Sequence, residues 1–123
     1  MLAAALAVTA LGLTAGVLTA SPAHATPPGV TVAHLTFAPG GTTGWHAHPG
    51  PVLVIVTTGS VTKYSAQDCT AHTYTAGQAF VEHGPTDENL VRNDGSVPAE
   101  TLVTFITPPG APIHHDSPPG RNP

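Results

Sequence analysis

Residues 45–48, Trp-His-Ala-His, set two imidazoles one residue apart. On an extended strand, positions i and i+2 point to the same face, so His46 and His48 can present two nitrogen donors to one ion. Neutral imidazole suits Fe, Mn, Zn, Ni and Cu alike. The plainer alternative is a pair of polar side chains on a sheet wall. No nucleophile competes for attention. Cys69 follows Asp68, whose charge disfavours a thiolate, and it reads as a small buried hydrophobe rather than an exposed thiol. Ser60 and Ser65 lack the Gly-x-Ser-x-Gly elbow. The carboxylates Glu82, Asp87, Glu88 and Asp94 read as loop solvation rather than an acid/base pair. His34 and His72 sit on expected strands without a partner at ligand spacing. His114 and His115 are adjacent, so on an extended chain they point apart. Trp45 and Tyr64 either line a pocket or fill the core, with core the better reading.

The elements that must hold the histidine pair are short and extended. "VTVAHLTFA" (30–38) alternates, with Leu35 and Phe37 on one face, which predicts a half-buried strand. "PGGTTG" (39–44) is a turn, and Pro49-Gly50-Pro51 breaks the chain again before "VLVIV" (52–56). Five aliphatics between turn residues predict a deeply buried strand, because a helix needs about 10 residues. "GSVTKYSA" (59–66), "HTYTAGQAFVE" (72–82), "NLVRND" (89–94) and "AETLVTFITP" (99–108) follow, each β-branched or aromatic and bounded by Gly, Pro, Asp or Asn. Such spacing predicts an all-β sandwich or barrel.

Composition is that of one globular domain: 123 residues, 41% hydrophobic and 8% charged, with 14 Pro and 13 Gly. Three Lys and Arg against seven Asp and Glu give a formal charge of −4, which argues against nucleic acid and anionic lipid as partners. Residues 1–25 carry no charged side chain and end in Ala23-His24-Ala25, the small-x-small pattern of a signal-peptidase site. The expectation is cleavage after Ala25 and a secreted or cell-envelope protein, with no membrane partner once the segment is removed. An uncleaved anchor is the alternative. The folded domain is then expected over 26–108. The Pro-rich stretch 109–123 has too little apolar material to pack and is expected to be a disordered tail.

Motif order sharpens this reading. Gly40, His46, His48 and Gly59 fall into the pattern G-x5-H-x-H-x3,4-E-x6-G, with Val52 at the Glu position. Downstream, Gly77 and, with one inserted residue, Asn93 fit the ends of G-x5-P-x-G-x2-H-x3-N. His83 stands where Pro belongs, and Glu88 or Asn89 replaces the His. Over residues 30–107 the chain resembles a small single-domain cupin with an RmlC-like jelly-roll barrel and degenerate metal-ligand motifs. The resemblance implies a barrel that binds a small molecule, through a divalent ion on His46 and His48 with help from Glu88 or His83. Two imidazoles and one carboxylate would suit non-haem iron, provided Glu88 rather than Asn89 faces inward. The rival readings are a metal-free binding module and a structural domain that dimerises through edge strands. Catalytic residues and reaction type stay undefined.

Overall fold

A computed structural model describes residues 27–117; the expected signal peptide and the last six residues lie outside this range. Nine strands run in the order β1 (Gly29–Phe37), β2 (His46–Ala47), β3 (Val52–Thr58), β4 (Ser60–Ser65), β5 (Ala71–Thr75), β6 (Ala79–Glu82), β7 (Asn89–Arg92), β8 (Ala99–Thr107) and β9 (His115–Asp116). Among the described residues there is no helix. The strands form two antiparallel sheets, ordered β1-β8-β3-β6 and β5-β4-β7-β2-β9. This is the all-β, two-sheet architecture the strand spacing predicts.

The two-residue period decides what each sheet buries. Val52, Val54 and Val56 of β3 turn inward, as do Ala99 and Val103 of β8, Phe80 of β6 and Val91 of β7, and they meet Phe37 and Val61 in one core. Filling such a site with a valine is worth about 1.5–3 kcal/mol. The alternate residues face out. Leu53 is 40% exposed, so β3 is buried on one face only and not on both as its unbroken aliphatic run suggests. In β1, Phe37 is buried but Leu35 is not.

Three connections set the site. Gly50 lets the chain cross from β2 in one sheet to β3 in the other, because a Cβ there would lie 2.0 Å from the Ile106 carbonyl oxygen. Ile106 N also donates to Pro51 O at 3.0 Å, pinning the crossing to β8. The expected single stretch 72–82 is in fact β5 and β6 in different sheets, broken at Gly77, whose φ is +90°. Asn93 is fully buried; its Nδ2 donates to the carbonyls of Phe37 and Val97, and its Oδ1 accepts from Gly95 N. That motif residue closes loops, with both ends of its amide engaged by backbone groups.

Two further expectations fail. Residues 109–117 are not a free tail: β9 pairs with β2, matching His46 to Asp116 and Ala47 to His115, and Ser117 N donates to Trp45 O at 3.0 Å. The edge of β2 supplies the hydrogen bonds that the segment's weak apolar content could not. Cys69 is exposed, with φ of 55°, in the turn between β4 and β5. A turn tip has no core for a thiol to enter.

Candidate metal centre

His46 and His48 both point into the space between the sheets and are 6% and 4% exposed. Each ring is held through Nδ1. His48 Nδ1 lies 2.7 Å from the Ile113 carbonyl, and His46 Nδ1 lies 3.0 Å from the Gly44 carbonyl, with Thr43 Oγ1 at 3.2 Å. A carbonyl accepts only, so both Nδ1 atoms carry the proton and both Nε2 atoms are left to face the interior. The rings stand nearly perpendicular, 81° apart, with centroids at 4.7 Å.

Both Nε2 atoms meet Glu82. Its Oε2 is 2.7 Å from His48 Nε2 and 3.6 Å from His46 Nε2, and the carboxylate is 3% exposed. Burial alone would raise the Glu82 carboxyl, but hydrogen bonds from His46 and His48 and their positive charge bring it down from 4.5 to about 2. Burial likewise works against a proton on His46; the Glu82 hydrogen bond, the Gly44 carbonyl and the charges of Glu82 and Asp116 outweigh it and raise the imidazole above 6.5.

The position of Glu82 has a simple origin. In the antiparallel pairing of β3 with β6, Glu82 lies directly opposite Val52. Directly opposed residues share a face, so the acid lacking at Val52 is supplied one strand over, at the same level and pointing the same way. Reading Glu82 as loop solvation is therefore wrong. The signal lay in "AFVE": Phe80 is an obvious core residue, and Glu82, two positions on, must share its face.

The other expected ligands do not join the cluster. His83 is exposed; its backbone N donates to Asp87 Oδ2 at 2.8 Å, and Asp87 pairs with Lys63. Glu88 is half-buried just before β7, and the fully buried Asn89 takes the inward position with Val91. The register thus falls the way that excludes Glu88. Asn89 is opposite His46, but its Nδ2 donates to Asp87 O and its Oδ1 has no partner. His34 and His72 are on the surface, the former 3.4 Å from Glu100. Trp45 is buried, whereas Tyr64 is neither core nor pocket: it lies on the outer face under the Arg92 guanidinium, 4.8 Å from its ring centre.

His46, His48 and Glu82 are the group of donors among the described residues close enough to share an ion, all within 4.8 Å of one another. Two imidazole nitrogens and a carboxylate suit a four- to six-coordinate divalent ion, with donors at about 2.0–2.2 Å for zinc. Admitting one requires the 2.7 Å His48–Glu82 contact to widen by less than about 1 Å. The donor set fits. Beside it opens a cavity of about 260 Å³ lined by these three residues, by Leu35, Phe37, Val54, Val91, Val103 and Phe105, and by Thr43, Thr101 and His114.

No protein-family model matches the sequence, and no curated protein does. Solved structures do. An oxalate oxidase superposes with a TM-score of 0.54 at 28% identity, over 67% of this chain and 44% of its own, so the chain spans less than half of that protein. A cupin domain from Bordetella pertussis Tohama I gives 0.54 at 25% identity, over 63% of this chain and 81% of its own. A cupin superfamily protein from Desulfitobacterium hafniense gives 0.56 at 11% identity, over 71% and 72%, a likeness of fold alone.

Proposed function

We propose that this chain, a cupin by fold, is an exported protein that holds a divalent metal ion on His46, His48 and Glu82 and binds a small organic molecule in the cavity beside it. The observation that carries the reading is the convergence of two Nε2 atoms on one buried carboxylate, with both Nδ1 atoms tied to backbone carbonyls. Carbonyls at Nδ1 fix the tautomer and ring orientation and make Nε2 a better donor, as in metal sites generally. Three protein ligands leave coordination positions for a guest, and the bound ion would act as a Lewis acid on a carbonyl or carboxylate oxygen. The chain's own part is to orient the donors and to exclude water with Phe37, Val54, Val103 and Phe105. Export is supported by the uncharged segment ending at Ala25.

A second reading is a metal-free binding module, favoured by the 2.7 Å contact between His48 and Glu82. A protonated imidazole beside that carboxylate balances its charge without an ion. The two readings separate on reconstitution with Fe, Mn, Zn, Ni and Cu in turn, followed by thermal denaturation. The metal reading predicts one equivalent bound and a higher Tm with at least one ion, since a ligand of the folded state must stabilise it. In the His46→Ala, His48→Ala double variant both effects disappear. No bound metal and no shift in the unmodified protein would leave the metal-free module.

A further inference from the structure

The lining of the cavity says what kind of molecule it takes; this step rests on the metal reading above. We propose that the cavity selects a small organic monoanion with an apolar body and an uncharged hydrogen-bonding group at its far end, received by Thr101, and rejects dianions of the same size.

Charge gives the first half. A divalent ion with Glu82 carries one net positive charge, which a single carboxylate neutralises. A second carboxylate would then sit among Leu35, Phe37, Val54, Val91, Val103 and Phe105 with no cation to meet it. No Lys or Arg lines the cavity: Lys63 is paired with Asp87 and Arg92 with Asp94. His114 is 56% exposed and its Nε2 lies 3.3 Å from Asp116 Oδ1, so it faces solvent and that carboxylate rather than the apolar interior. Burying an unpaired anion in such surroundings is heavily penalised.

Thr101 gives the second half. It is 1% exposed, it lines the cavity, and its Oγ1 has no hydrogen-bond partner. Buried hydroxyls are normally paired, so an unpartnered one on a residue lining the cavity is the natural partner for a guest's polar atom, which it meets by a rotation of the Thr101 side chain that brings the enclosed oxygen to the cavity surface. On β8 it lies four residues from Phe105, which is level with Val52 and hence with Glu82. Four strand residues span roughly 13 Å, which puts Thr101 at the end of the cavity away from the metal ligands. Carboxylate and hydroxyl partner are thereby separated by an apolar body. The volume, about 260 Å³, is metabolite-sized and below the usual range for drug-sized ligands.

The test is calorimetric titration of the metal-loaded protein, its metal content measured first, with three series of four to eight carbons: monocarboxylates, ω-hydroxy monocarboxylates and dicarboxylates. At the best length the ω-hydroxy acid should bind about tenfold more tightly than the plain acid, the weight of one buried hydrogen bond. The dicarboxylate of that length should be at least as much weaker. Thr101→Val should erase the hydroxyl advantage, leave the plain acid unchanged and keep the Tm at or above that of the parent, because it removes an unpartnered group; Thr101→Ser should retain the advantage. Dicarboxylates binding best, a hydroxyl advantage that survives Thr101→Val, or no binding by any series to metal-loaded protein would each overturn this inference and leave the metal site standing. Failure to load metal would remove both.

Discussion

Glu82 is a carboxylate at a depth where an unpaired acid would take up a proton, and it stays ionised only because two imidazoles face it. That arrangement makes stability depend on pH in a definite direction. A carboxyl lowered on folding, here from 4.5 to about 2, contributes stability above its unfolded value and loses it as pH falls through the lower one. An imidazole raised on folding, as His46 is, contributes below its unfolded value of 6.5 and loses that contribution as pH rises through the higher one. For metal-free protein the cluster is therefore most stabilising between 4.5 and 6.5. A divalent ion needs both Nε2 atoms unprotonated, so its effect must grow over the range where the metal-free contribution fades. Melting curves from pH 4 to 9, with chelator and with metal, should show a falling Tm above 6.5 in the first case and a widening gap in the second. Glu82→Gln should flatten both; a metal-free profile level across this range would contradict the account. The histidine pair was legible because i and i+2 share a face whatever the rest of the fold does. Glu82 was harder to see because its meaning depends on lying opposite Val52, and strand register over thirty residues is not written in local spacing.

Among the elements, β9 carries the least obvious role. It adds a two-residue strand to the edge of β2, and the chain just before it supplies the Ile113 carbonyl that orients His48. The composition of the stretch 109–123 around it, rich in proline and poor in apolar residues, points to a free tail, and only the open edge of β2 reverses that expectation. Deleting residues 111–123 should therefore weaken metal binding by about tenfold or more, the usual loss when a ligand's supporting hydrogen bond is removed. It should also lower Tm while leaving the two-sheet core folded, as circular dichroism would register. Unchanged metal affinity in the shortened chain would show that His48 needs no such support. The other strands were legible because β-branched runs between Gly and Pro turns announce themselves. What the runs did not disclose was which faces were wet: β3 reads as buried throughout, yet Leu53 lies on the outside.

At the scale of the whole molecule, the outer face of the β1-β8-β3-β6 sheet is unusually apolar. Val30 is level with Ile106, and Val32, Thr104, Leu53 and Val81 form one row across all four strands. Exposures of 67% at Val30, 60% at Val32 and 45% at Ile106 leave a patch of the sort that marks an interface. A second copy is the partner we propose: the face carries no Lys or Arg, and Glu100, 3.4 Å from His34, is its one carboxylate, so a two-fold contact has little charge to bury. Sedimentation equilibrium should show a dimer that Leu53→Glu with Leu102→Glu converts to monomer without loss of metal; a monomer at high concentration would rule it out. The cupin fold itself was legible from Gly40, Gly59, Gly77 and Asn93, residues that set turns and close loops and so report architecture more than chemistry. The chemistry rests on the buried triad, and anomalous X-ray scattering from crystals of the metal-loaded protein tests it most directly. One peak is expected, about 2.0–2.2 Å from His46 Nε2, His48 Nε2 and a Glu82 oxygen. A peak at His34, His83 or the His114–His115 pair, with none between these three side chains, would contradict it.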